Sequence, residues 1–295
     1  AKEDTGFKLT YEDVESTVEG LKPVPSVDPF QGISVVYEGT APNGRAEIEK
    51  SDMGGISGML RYSLDKAENL SNGEVVTVRI EGDAQEIRTD CIEQFGMAPS
   101  TLEKEYTVEG LPHYPAQFSE ISEDALEEMK RQAEDVITAR TASDYGEEVS
   151  LQGMTYAGAY FLTVKEGHDS RYSNLIDIIY RVDASIGIEE AGYNYTLPYY
   201  FVVQYQNAMI LPDGTCSVDT SEYSVENDTF TYDTGVSAGW GTEKFRFEGY
   251  ENTEVLKNTL VTEMVEDYAC EDLLSQAIET IPTEETTAAE TENAS

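Results

Sequence analysis

One pentapeptide occurs twice, and it fixes where modules can begin and end. Residues 17–21 read Thr17-Val18-Glu19-Gly20-Leu21, and residues 107–111 read Thr107-Val108-Glu109-Gly110-Leu111. Pro23 and Pro25 follow the first copy, and Pro112 and Pro115 follow the second. The two copies start 90 residues apart, a length that suits a β-sandwich unit. A closing strand, a glycine turn and a proline-stiffened linker, used twice, would produce this pattern. Residues 1–23 then read as the tail of a preceding module or a linker, and residues 24–111 as one small all-β, sandwich-like module.

Within residues 24–111, short segments of β-branched and aromatic residues alternate with turn signals. Strands are expected at Ile33 to Glu38, Arg45 to Glu49, Val75 to Ile80 and Thr101 to Val108. Ala41-Pro42-Asn43-Gly44 and Ser71-Asn72-Gly73 read as turns. Residues 52–62, with Gly54, Gly55 and Gly58, read as loop, and residues 90–99 show no clear pattern.

From Ser119 the period changes to that of a helix ending near Ala142. Ser122 is its cap, with Glu123 and Asp124 in the first turn favouring the positive helix end. Leu126, Met129, Ala133, Val136 and Ile137 recur at helical spacing, and Glu127 and Arg131 are placed for an (i, i+4) pair. Strands follow from Leu151 to Val164, with bulges at Gly153 and Gly158, from Asn174 to Val182 as a central strand, and from Tyr199 to Leu211. Phe230 to Val236 and Lys244 to Phe247 are expected to pair late in the sheet. A second helix is expected from Thr253 to Ile278, stopped by Pro282. Residues 116–280 therefore read as an α+β domain, an antiparallel curved sheet packed on helices, of cystatin-like or NTF2-like type. Residues 281–295 lack apolar residues enough to order themselves and read as a disordered tail.

Charge limits the partners. The chain has 295 residues, with 58 Asp plus Glu against 19 Lys plus Arg and a formal charge of −39. Nucleic acid is excluded as an ordinary electrostatic partner, because phosphate contacts need clustered cations, and docking on anionic lipid is opposed for the same reason. Self-repulsion favours a monomer. No apolar run reaches the ~20 residues of a membrane span. The three cysteines, Cys91, Cys216 and Cys270, are far apart and read as free thiols, with one disulfide left open. With His113 and His168 the only histidines, a histidine-rich metal site is excluded by supply, and no cofactor or metal is expected.

Catalytic signatures are sparse. No nucleophile elbow, phosphate-binding loop or zinc-protease motif occurs. Asp4-Thr5-Gly6 and Asp233-Thr234-Gly235 resemble the paired triplets of aspartic proteases, but their flanks are wrong and they read as Asp-Gly turns. Asp213-Gly214 and Glu226-Asn227-Asp228 read as turns rather than calcium loops. The feature that points to function is aromatic. The chain holds 19 tyrosines, and Tyr193, Tyr195, Tyr199, Tyr200, Phe201 and Tyr205 crowd one segment. Alternation puts Tyr199, Phe201, Val203 and Tyr205 on one strand face and Tyr200, Val202 and Gln204 on the other. Tyr193 and Tyr195 are expected in an exposed loop. Tyr193, Tyr195, Tyr199 and Trp240, the last set between Gly239 and Gly241, are the candidate ligand-binding residues.

Asp28-Pro29-Phe30, Val36-Tyr37-Glu38-Gly39 and Ala41-Pro42-Asn43-Gly44 resemble the opening of a small β module in uncharacterised membrane-anchored, zinc-ribbon-headed envelope proteins of Firmicutes. Glu109-Gly110-Leu111-Pro112 and Tyr156-Ala157-Gly158-Ala159-Tyr160-Phe161-Leu162 resemble their membrane-distal domain. The resemblance implies an extracellular, cell-surface location with the anchoring segment outside this sequence, and it brings no catalytic residues. The expectation is a non-enzymatic, extracytoplasmic binding or structural region of an envelope-anchored bacterial protein. Its partner would be a glycan, a peptide or another envelope component, without direct membrane insertion by this segment. The alternative is a carboxylate-based glycan-processing enzyme in the second domain.

Overall fold

The computed structural model describes Gly20 and residues 22–51, 54–168, 170–225 and 227–274. The expected tail at 281–295, most of the expected segment 1–23 and the Asp4 triplet lie outside the described residues. The protein is mostly antiparallel β with a few helices, an α+β arrangement. It divides into two compact units. One holds the described residues up to Val36 with Arg45–Glu68 and Glu74–Thr107; the other holds Tyr37–Gly44, Asn69–Gly73 and the described residues from Val108. Two segments from inside the expected first module therefore group with the second unit. Side-chain packing accounts for this. A Cβ on Gly44 would lie 2.3 Å from Leu111 Cδ1. Asn72 brackets Leu111, accepting from its N–H at 3.0 Å and donating to its carbonyl at 2.7 Å.

The first unit contains β1 (Ser26–Val27), β2 (Ile33–Glu38), β3 (Gly44–Lys50), α1 (Gly55–Met59), β4 (Tyr62–Leu64), β5 (Glu68–Leu70), β6 (Val75–Ile80), α2 (Ala84–Phe95), β7 (Ala98–Pro99) and β8 (Glu103–Thr107), some of whose strands run on into the second unit. The sheet orders are β4-β6-β8 and β2-β3-β5, with β1 and β7 as a short parallel pair. The expectation of an all-β module is corrected by α1 and α2. The reason for α2 is local. Asp83 caps it by accepting from Gln85 N–H at 2.8 Å and Glu86 N–H at 3.1 Å, and Gly96 ends it in the left-handed region. Ile87 and Cys91, four residues apart, turn into a core with Phe30, Ile33, Ile56, Leu60, Val78 and Ile80.

The second unit is built on three long strands. α3 (Glu123–Asp144) leads into β9 (Val149–Val164), β10 (Asn174–Ile188) and β11 (Tyr193–Gln206), then β12 (Met209–Ile210), β13 (Cys216–Ser217), β14 (Tyr223–Ser224), β15 (Thr229–Ala238), β16 (Gly241–Glu248), α4 (Thr253–Leu260) and β17 (Tyr268–Asp272). The main sheet has the order β14-β11-β10-β9-β17. Ser122 caps α3 by accepting from Ala125 N–H at 3.3 Å. Met129, Ala133 and Ile137 bury one stripe of α3 against Phe161, Ile176, Ile178, Tyr180, Phe201 and Val203 of the sheet. The expected Glu127–Arg131 pair is replaced by Lys130–Glu127 at 2.8 Å and Arg131–Asp135 at 3.5 Å. On the other sheet face, α4 packs Leu256 and Leu260 over Tyr160, Leu162, Leu175, Ile179 and Val202.

Three expectations change here. The helix drawn from Thr253 to Ile278 stops at Leu260, and Tyr268–Asp272 becomes a sheet strand paired with β9, Cys270 opposite Leu162. Tyr268 supplies the fourth-residue step of a helix, yet it is buried as a strand residue while Met264 and Val265 stay exposed. Tyr193 and Tyr195 lie at the start of β11, not in a loop, because β11 pairs with β10 as far as Ile188↔Tyr193. β15 and β16 form a two-stranded ribbon of their own and do not join the main sheet.

Both bulges expected in β9 occur, where the register shifts beside Ile179/Tyr180 and Asp183/Ala184. Their glycines differ in kind. A Cβ on Gly158, at φ +138°, would stand 2.7 Å from Leu274 Cα, whereas one on Gly153 meets nothing within 4 Å. Gly158→Ala should destabilise the protein by about 2 kcal/mol or more, and Gly153→Ala by well under about 1 kcal/mol. Urea unfolding of the two variants measures the difference.

Candidate functional site

The ribbon is fastened to the main sheet by aromatic rings. Phe230 and Phe247 stack at 5.5 Å, and Tyr199 of β11 meets them at 5.8 and 5.6 Å. Tyr145, just past α3, adds an edge contact to Phe247 at 5.8 Å and a hydroxyl contact to Tyr199 at 2.8 Å. Such ring pairs contribute about 0.5–1.5 kcal/mol each beyond the area they bury. Antiparallel backbone bonds between Tyr200 and Tyr250, at 2.9 and 2.8 Å, fix the root of the ribbon. Gly249 is glycine because a Cβ there would meet Tyr200 O at 2.5 Å.

This seam decides the fate of the four candidate residues. Tyr199 is 1% exposed, a core residue and not a ligand contact. Alternation had placed it on the face that α3 and the ribbon cover, and the seam takes its ring. Tyr193 and Tyr195 continue the same face of β11 toward the end of the sheet. There the cover thins, and Tyr195 is 42% exposed. The ribbon supplies a third member that sequence reading missed. Tyr232 stacks on Tyr195 at 5.4 Å with the ring planes 4° apart, and its hydroxyl lies 3.0 Å from that of Tyr193. Burial and the Tyr193 hydroxyl push the Tyr232 phenol well above its ordinary value, so it remains a neutral hydrogen-bonding group.

Trp240 sits at the ribbon tip and is fully exposed. Gly239 and Trp240 form the two-residue loop between paired Ala238 and Gly241, with positive φ at Gly239. Tyr232 pairs with Phe245, and five residue steps along β16 lead from Phe245 to Trp240, about 17 Å at about 3.3 Å per residue. The ribbon thus carries an aromatic ledge near its root and one indole at its tip.

A charged groove lies beside the seam. Arg140, Asp144, Thr229, Arg246 and Glu248 line about 360 Å³. Burial raises the Glu248 carboxyl, Arg140 at 4.0 Å opposes this, and Asp144 adds to it. Arg246 donates to Thr229 Oγ1 at 3.0 Å. The second Asp-Thr-Gly triplet belongs to the ribbon. Asp233 Oδ1 accepts from Gly235 N–H at 3.0 Å, and Gly235 has φ +71°, so the triplet forms a local turn inside the bulge. Cysteine chemistry is disfavoured: burial raises all three thiols, Cys270 to about 11. All three are free. Among the described residues no cluster of His, Cys, Asp and Glu is placed to hold a metal ion.

The Asp233 carboxyl is held down at about 2, first by Thr242, then by Gly235 N–H and Lys244. Its folded value lies below the unfolded one of ~3.9. Its contribution is therefore complete above pH ~4 and is lost as pH falls toward about 2. Carboxyl-carbon NMR titration should give a midpoint near that low value, and Lys244→Ala should raise it.

Compared with known proteins, the chain matches no protein-family model, no curated protein and no solved structure.

Proposed function

We propose that this chain is a non-enzymatic, extracytoplasmic recognition region of an envelope-anchored protein, and that the β15–β16 ribbon binds an extended, uncharged glycan. The second unit, a long curved antiparallel sheet with α3 laid on one face, is read as NTF2-like, and the first as a stalk module. The observation that carries the reading is the placement of the exposed aromatics. Tyr195 and Tyr232 offer a stacked pair, Tyr193 adds a hydroxyl beside them, and Trp240 stands about 17 Å further along by strand rise. Aromatic faces with adjacent hydroxyls suit the apolar faces and edges of sugar rings. Two contact points so far apart favour a polymer over a small molecule. The charge of −39 opposes anionic polymers, so among glycans a neutral one is expected.

A second reading rests on Glu248, whose carboxyl is raised while Asp144 shares its groove. That pairing is what an acid and a second carboxylate of a glycan-processing enzyme require. Arg140 and Arg246 stand in the same groove, which suits an ion cluster bracing the end of α3 equally well. The binding reading is therefore preferred. Loss of reducing-end release in Glu248→Gln, with release by the unaltered protein, would reverse that preference.

Immobilised envelope glycans separate the two. The unaltered protein should retain neutral glycan chains without shortening them. Tyr195→Ala combined with Tyr193→Ala should weaken retention by tenfold or more, about 1.4 kcal/mol. Equal retention by the double variant would remove the ledge from the account.

A further inference from the structure

On the opposite face of the main sheet a groove of about 630 Å³ opens beside α4, within the ~300–1,000 Å³ range of small-molecule sites. We propose that it binds a small organic cation, an ammonium or guanidinium group carried on an apolar body. The inference is independent of the glycan reading, since it uses neither the ribbon nor its aromatic ledge.

The floor is apolar and aromatic. Leu175, Leu260, Tyr250 and Tyr268 are all buried, and Met264 extends the apolar surface to the rim. Two amides, Gln204 and Asn227, interrupt the floor. Gln204 is 6% exposed, donates to buried Asp177 Oδ1 at 2.8 Å and accepts from Ser224 at 3.3 Å. The rim is acidic. Asp228, Glu263 and Asp267 surround the opening. His168 engages Asp267 at 3.1 Å, while among the described residues Asp228 and Glu263 form no ion pair. Among the described residues the one cation of the lining, Arg171, lies over the Tyr172 ring at 4.9 Å. An apolar floor under an acidic rim rejects anions by repulsion and polyols by the desolvation of their hydroxyls. It favours a ligand that buries a hydrocarbon or aromatic body and leaves its positive end among the rim carboxylates.

Three probes of one shape test this by calorimetry on the whole chain: 4-phenylbutylamine, 4-phenylbutanol and 4-phenylbutyrate. The amine should bind at least about tenfold more tightly than the alcohol, and the acid should show no binding. Asp228→Asn with Glu263→Gln should weaken the amine by about tenfold and leave the alcohol unchanged. Glu128→Gln with Asp135→Asn on α3, the same change in net charge on the other sheet face, should alter neither. Equal binding of the three probes, no binding of the amine, or equal loss in both double variants would each overturn the proposal.

Discussion

The seam of Tyr145, Tyr199, Phe230 and Phe247 holds the β15–β16 ribbon against the sheet, and the proposed recognition surface depends on it. The ribbon is a separate two-stranded sheet, so the hydrogen-bond ladder of the main sheet does not fix its position. Ring packing and the Tyr200–Tyr250 bonds at its root do. Once the seam is formed, Tyr232 is delivered onto Tyr195, and Trp240 is carried outward. The same packing that removes Tyr199 from the surface therefore builds the ledge.

The long strands permit this because they bend. Two bulges in β9 add twist to a sheet whose three principal strands run 14 to 16 residues. α3 occupies the middle of one face, the ribbon covers the end beyond it, and α4 takes the other face. Among the described residues β14 meets β11 only at Gln204 and Tyr205. Pro198, which has no N–H to offer, lies in the remaining length of that edge strand. Asn227 pairs its side-chain amide with Val202 N–H and C=O at 3.0 and 3.2 Å, standing in for a neighbouring strand.

Much of the second unit was legible because its signals are local. The α3 stripe, the central position of β10, the β9 bulge glycines and the two faces of β11 all follow from period and glycine placement. What was missed depended on long-range pairing or on caps read too lightly. α2 carries its signal in Asp83, Glu86 and Gly96, around an apolar step that only Ile87 and Cys91 bury. β17 was taken for helix because Leu256, Leu260, Met264 and Tyr268 step by four, yet the open edge of β9 outcompetes a helix there. Tyr193 and Tyr195 could be singled out from crowding alone. Tyr232, which lies 39 residues from its hydroxyl partner, could not, since only the folded-over ribbon joins them. The acidic-rimmed groove was equally invisible, because its lining comes from several separate segments.

Trp240 is the only tryptophan in the chain and stands at the ribbon tip, so its fluorescence reports directly on that surface. Titrating the protein with neutral oligosaccharides of increasing length should produce a saturable blue shift that strengthens until the chain is long enough to span ledge and tip. An emission spectrum unmoved by oligosaccharides of any length would contradict the ribbon as a glycan-binding surface.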